Sequence, residues 1–302
     1  MATTLASITI AGRSVDTHPD HFGALTPSSV DEGFDALRAR FAADGYLYLP
    51  GFHPRNEVAA CRASVLAQME LEGLFDPAFP LDDAMLKPGV DIAFRPDIAN
   101  ANPDLPGLLY GERMMALASG LVGEAAMHYD YTWMRAVGTG RSTMPHYDIV
   151  YMGRGTDQLF TCWTPLADLE PENGVLAILE GSHQAAELKA TYGTMDVDTV
   201  CTNKPGVRVV DDKGYVSFGA LPEHPDALRS AWGRRWLTNA FAMGDVLLFS
   251  MYTLHASTDN VTPRLRLSTD SRYQAASLPA DPRWIGEHPV GHGESAQIGM
   301  IC

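Results

Sequence analysis

Arg264-Leu265-Arg266-Leu267-Ser268-Thr269-Asp270-Ser271-Arg272 alternates without a break. At a period of two, Arg264, Arg266, Ser268, Asp270 and Arg272 share one face of a strand, while Leu265 and Leu267 share the other. One structure with this pattern is a solvated sheet face over a leucine-lined core. The other is a barrel strand whose interior is polar. Three arginines on one face are excessive for surface decoration in a chain with 37 acidic and 22 basic residues. The alternation therefore favours the barrel strand, in which one guanidinium can clamp a carboxylate through two parallel hydrogen bonds.

Outward from this stretch, further β-like runs are read at 126–137, 147–152, 158–164, 174–179 and 243–250, punctuated by Gly, Pro, Asn and Asp. The first third of the chain reads differently. Phe34, Leu37 and Phe41 stripe a helix over 32–44, and Val58, Cys61, Val65 and Met69 stripe another over 56–71. A short strand, Tyr46 to Leu49, closes at Pro50-Gly51, and a third helix is expected over 107–122. The Pro- and Asp-rich stretch 75–107 reads as a covering loop, and 193–235 as a lid-like insert. Helices first and strands afterwards predict one mostly-β domain over 1–302 with flanking α-helices. Its helical brace would occupy about 30–123 and its β core about 124–275. No Gly-rich phosphate-binding pattern follows a strand into a helix, which argues against nucleotide-binding α/β folds.

Composition narrows the function. The chain has 302 residues, 46% hydrophobic and 20% charged, with a net charge of -15. A field of that sign repels phosphate backbones and anionic lipid surfaces, so neither nucleic acid nor a membrane is an expected partner. No apolar run approaches the length of a membrane span. Met1 to Ile10 lacks the basic and apolar regions of a signal peptide. Cys61, Cys162, Cys201 and Cys302 form no close pair, which fits reduced thiols in a cytoplasmic protein.

The sharpest chemical feature is His146-Tyr147-Asp148, where the loop Gly138 to Pro145 meets the run 147–152. Residues i and i+2 of a strand point to one side, so this imidazole and carboxylate can grip one ion. His255, beyond the run 243–250, is the best third ligand. Two histidines and a carboxylate on one side of a metal leave open positions opposite, as in non-haem Fe(II) oxygenases. His-Tyr-Asp also occurs at His128-Tyr129-Asp130, and alternation alone does not choose between the copies. The same three ligands would also serve a metal-dependent hydrolase, or survive as a degenerate site in a β-barrel binding protein.

Taken together, the motifs resemble the phytanoyl-CoA dioxygenase family of Fe(II)/2-oxoglutarate-dependent oxygenases. The stretch Phe41 to Gly51 is similar to that family's helix–strand entry, and His146-x-Asp148 to its first two iron ligands. Cys162-Trp163-Thr164-Pro165-Leu166, Glu172-Asn173-Gly174 and Gly181-Ser182-His183 follow in the family's order. His255, with Arg266 eleven positions later, resembles its distal ligand and 2-oxoglutarate arginine. The likeness covers roughly 34–274 and implies a double-stranded β-helix, a jelly roll of the cupin type. It also implies Fe(II), 2-oxoglutarate and O2, with a small-molecule substrate hydroxylated or otherwise oxidised at an unactivated C–H bond. Carried over by position, Arg266 and Ser257 would hold the distal carboxylate of 2-oxoglutarate, and Trp163 would line its pocket. Asp148 stands where a halogenase would have a small residue, so the resemblance implies hydroxylation over halogenation. The family's spacing also selects His146, since Trp163 and Asn173-Gly174 stand at the right distance only from the second copy. Ala167-Asp168 matches the family's acidic pair only in part, and oligomeric state is not legible.

Overall fold

The computed structural model describes residues 8–200 and 219–292, so the middle of the expected insert, with Cys201, and the C-terminal Cys302 lie outside the described residues. The chain opens with a two-stranded ribbon, β1 (Thr9–Ile10) and β2 (Arg13–Ser14), then β3 (Phe22–Gly23). Helix α1 (Phe34–Asp44) leads into β4 (Tyr46–Leu49), and α2 (Arg55–Glu70) follows. The turn between α1 and β4 requires glycine. Gly45 has φ +78, and a Cβ there would stand 2.4 Å from the His183 ring.

Helix α2 buries Val58, Cys61, Val65, Leu66 and Met69, the stripe expected of an amphipathic helix. The stretch 75–107 is less irregular than expected, for it holds α3 (Pro96–Ala101) and the start of α4 (Leu105–Leu109). The helix expected over 107–122 is broken at Tyr110-Gly111 and resumes as α5 (Glu112–Val122). At that break a Cβ on Gly111 would meet the Gly107 carbonyl oxygen at 2.2 Å.

The expected strand over 126–137 is two strands, β5 (Ala126–His128) and β6 (Trp133–Val137). The run 147–152 is not a strand. Ile149–Met152 is one turn of helix, α6, with all four side chains buried. A short, continuous apolar run is the case in which periodicity cannot separate strand from helix. The remaining elements are β7 (Phe160–Pro165), β8 (Leu176–Leu179), α7 (Ala186–Ala190), α8 (Val197–Val200) and α9 (Pro225–Ala231). After them come β9 (Trp236–Leu237), β10 (Val246–Ser250), β11 (His255–Ser257) and β12 (Arg266–Ala275).

These strands form two sheets. The larger runs β4-β10-β7-β12-β5, with β6 also paired to β12, and the smaller runs β11-β8-β9-β3. Their pairings are antiparallel except β3 with β9. The inner faces meet where Trp163, Leu247 and Phe249 of one sheet pack with Leu176, Ile178 and Leu237 of the other. This closed pair of sheets is the jelly roll that the resemblance implies.

Strand β12 lies in the middle of the larger sheet, and all ten of its residues are buried. Its outer face continues with Leu265 and Leu267, which pack with Met134 and Ala136 against Val58, Val65 and Leu105 of the helices. Burying such side chains is worth about 1.5–3 kcal/mol each, which is how the helical brace holds the sheet. The inner face carries Arg266, Ser268, Asp270 and Arg272, so the barrel interior is polar. Arg264 does not join them. It precedes the strand with its side chain 60% exposed, 3.7 Å from Asp83.

Candidate active site

His146 and His255 meet across the barrel as a cross-strand pair. His146 N donates to His255 O at 2.9 Å and His255 N to His146 O at 3.1 Å. Directly opposed residues of an antiparallel bridge project to one side, and the two ring centres are 4.1 Å apart. One step further along, Thr143 N donates to Ser257 Oγ at 2.7 Å, and Ser257 N to Thr143 O at 3.0 Å. The loop before His146 is thus laced to β11, which fixes the imidazole's approach.

Asp148 follows two residues later with helical backbone angles, at the head of α6. The carboxylate and the imidazole are therefore brought together by a bend out of the bridge, not by the shared strand face expected from sequence. Asp148 Oδ1 lies 3.7 Å from both His146 Nε2 and His255 Nε2. One ligand atom from each of the three buried residues lies within 4.8 Å of the others, and no other such metal-holding group occurs among the described residues.

The hydrogen bonds orient these atoms. His146 Nδ1 donates to Met144 O at 2.7 Å and His255 Nδ1 to Thr253 O at 2.9 Å, which turns both Nε2 atoms toward the carboxylate. Asp148 Oδ2 accepts from Thr161 Oγ1, and from Arg272 Nη2 at 3.3 Å. Oδ1 is buried with no hydrogen-bond partner among the described residues. Burial holds His146 well below and His255 below the ordinary histidine range, so both rings are neutral at pH 7. Burial would raise the Asp148 carboxyl, but the Arg272 guanidinium, with the Thr161 hydroxyl, holds it well below the usual carboxylate range. Two neutral imidazoles and an ionised, orphaned carboxylate oxygen are a donor set that a divalent cation fits.

Arg266 enters the same interior, 2% exposed. It shares a small cavity with Thr143, His146, Trp163, His255 and Ser257. Its Nη1 donates to Ser268 Oγ at 2.6 Å, while Nε is buried with no acceptor among the described residues. Burial, reinforced by the Arg135 guanidinium, pushes it down to about 9, which marks a cation short of counter-charge. Trp163 Nε1 donates to the same Ser268 Oγ at 2.9 Å, so Trp163 both lines the cavity and props the serine under Arg266. Beside them Arg135 Nε bonds Asp270 Oδ2 at 2.9 Å in a buried ion pair.

The other candidates lie elsewhere. His128 is half-buried and stacked on Tyr110 at 4.1 Å, and Asp130 Oδ2 accepts from Gly286 N at 2.6 Å. His183 Nε2 donates to Ala42 O at 3.2 Å, away from the metal-ligand set. Asp168 pairs with Arg55 on the surface. A larger hollow of about 440 Å³ between Arg38, Phe41 and Leu121 is separate from all of these groups. Sequence reasoning missed Thr161. Its signal was available, since it stands two residues before Trp163 on the same strand face.

The phytanoyl-CoA dioxygenase (PhyH) family model matches residues 41–268, most of the chain. The chain belongs to that family. No curated protein sequence matches it. Among solved structures, this PhyH member is similar to SnoK, a non-heme alpha ketoglutarate dependent carbocyclase from nogalamycin biosynthesis. That match has 17% identity and a TM-score of 0.56, and covers 85% of this chain and 90% of that one. The epimerase SnoN, in complex with Fe3+, alpha ketoglutarate and nogalamycin RO, matches with 20% identity and a TM-score of 0.55. Coverage there is 86% of this chain and 94% of that one. EctD from S. alaskensis matches with 19% identity and a TM-score of 0.56, over 94% of this chain and 91% of that one. At such identities the likeness is one of fold, and it agrees with the jelly roll described above.

Proposed function

We propose that this PhyH-family chain is a non-haem Fe(II)/2-oxoglutarate-dependent dioxygenase that hydroxylates, or otherwise oxidises, a C–H bond of a small molecule. The observation that carries the reading is the pairing of two features in one barrel interior. One is the buried set His146, Asp148 and His255. The other is Arg266, a buried guanidinium with an unfilled Nε beside His255. A hydrolase would use the three ligands but has no need of Arg266. SnoN, a fold neighbour, is described with Fe3+ and alpha ketoglutarate bound, which supports the same cofactor pair here.

In this reading His146 Nε2, His255 Nε2 and Asp148 Oδ1 hold the iron. Bound Fe(II), with 2-oxoglutarate and O2, supplies the two-electron oxidant for the C–H bond while 2-oxoglutarate becomes succinate and CO2. Arg266 binds the distal carboxylate of 2-oxoglutarate, and Ser257 lies at the same cavity wall to donate a further hydrogen bond. Ser268, held between Arg266 Nη1 and Trp163 Nε1, keeps the guanidinium from swinging away. Thr161 and Arg272 occupy Asp148 Oδ2 and so leave Oδ1 to the metal. The buried walls exclude water from the reacting atoms.

The test is anaerobic addition of Fe(II) and 2-oxoglutarate to metal-free protein. A weak visible charge-transfer band that needs both components is expected, and in air slow succinate formation. Activity that persists with Zn(II) and without 2-oxoglutarate would overturn the reading.

A further inference from the structure

Arg272 is the second unsatisfied cation of the barrel interior. It stands six residues beyond Arg266 on the same inward face of β12, so their Cα atoms are roughly 20 Å apart. Arg266 shares its cavity with His255, whereas Arg272 reaches Asp148 from the other side of the metal ligands. Its side chain is 1% exposed. Nη2 meets Asp148 Oδ2 at 3.3 Å, and Cζ lies 4.3 Å from the centre of the Trp133 ring. Nε and Nη1 are buried with no acceptor among the described residues. The neighbouring indoles are in the same state. Trp133 and Trp284 pack with ring centres 4.8 Å apart, and neither Nε1 has an acceptor among the described residues. All four of these unpaired atoms are donors.

The charges point the same way. Among the described residues Asp148 is the one carboxylate in contact with Arg272, and none is in contact with Arg266. In the oxygenase reading the distal carboxylate of 2-oxoglutarate answers the charge of Arg266 but not that of Arg272. The Asp148 carboxylate, the one counter-charge in contact with Arg272, must then be shared with the metal. Resting on the oxygenase reading above, we propose that the primary substrate is a carboxylate-bearing small molecule. Its carboxylate accepts from the free N–H groups of Arg272, and its flat or apolar part lies against Trp133 and Trp284.

The test uses the whole protein loaded with Fe(II) and 2-oxoglutarate under argon, with 2-naphthoate and its neutral isostere 2-naphthamide as probes. Loading fills the Arg266 site, so the probes report on the remaining one. Calorimetric titration is expected to give at least tenfold tighter binding of the naphthoate. Arg272→Gln should reduce that preference below twofold, and Arg272→Lys should retain part of it. Equal affinity of the two probes in the wild type, no binding of the naphthoate, or a preference untouched by Arg272→Gln would each overturn the proposal. The wild-type comparison stands even where a variant fails to fold. The visible band of the loaded protein separates the two readings. If the band never forms, the oxygenase reading fails; if it forms and the acid is not preferred, only the substrate inference fails.

Discussion

Arg266→Lys keeps a positive charge in the cavity but replaces a planar, two-pronged donor with a single point. A charge-assisted pair in a dry pocket is worth roughly 1.5–3 kcal/mol. The variant should therefore raise the 2-oxoglutarate concentration needed for half-maximal formation of the visible band by about 10- to 100-fold, with Fe(II) affinity retained. An unchanged 2-oxoglutarate requirement would move the clamp to another residue. The two His-Tyr-Asp copies are separated in the same way. Only His146 faces His255 and Asp148, while His128 is stacked on Tyr110 at the barrel's edge. His146→Ala should abolish Fe(II) binding by equilibrium dialysis, and His128→Ala should leave it intact. The reverse pattern would transfer the site to the first copy.

At the scale of elements, the junction of α1 and β4 is the most demanding joint of the brace. Gly45 combines a left-handed backbone with a space already filled by His183, whereas Gly123, at the end of α5 with φ +80, faces open space. Gly45→Ala therefore carries both conformational strain and a clash, and should cost about 2 kcal/mol or more in urea unfolding. Gly123→Ala carries strain alone and should cost about 1 kcal/mol. Equal losses would mean that His183 yields freely and does not pin the joint. Elements also explain where sequence reading stopped. Helix α6 could not be told from a strand because Ile149, Val150, Tyr151 and Met152 are all buried and leave no polar phase.

For the whole molecule, pH acts through a histidine remote from the candidate site. His53, in the turn between β4 and α2, is 2% exposed, and both its ring nitrogens lack partners among the described residues. Burial, with Arg113 adding to it, pushes the imidazole down to about 4. The native state then holds this ring neutral while the unfolded chain protonates it near 6.5, so unfolding takes up a proton between those values. Stability should accordingly be full above pH 6.5 and fall as pH drops toward 4. This one group accounts for about 3 kcal/mol of the loss. Measured by urea unfolding of metal-free protein from pH 4 to 7, His53→Phe should flatten the slope by nearly one proton. A profile identical to wild type would show that His53 gains solvent or a partner in the native state.

The sequence by itself determined the polar inner face of β12, most of the succession of helices and strands, and the residue types of a 2-His-1-carboxylate set. Each rests on local periodicity or on spacing, which a chain carries before it folds. The tertiary structure decided what periodicity cannot reach. Alternation put Arg264, Arg266 and Arg272 on one face; β12 begins only at Arg266, which leaves Arg264 outside near Asp83. His146 and Asp148 looked like neighbours on a strand. They converge because a bridge between residues 109 positions apart sets His146 against His255, and a helical turn then swings Asp148 beneath them. Thr161 and Arg272 meet Asp148 only through the pairing of β7 with β12. Which oxygen of a carboxylate is tied and which is left open depends on contacts between distant strands, and those exist only once the two sheets have closed.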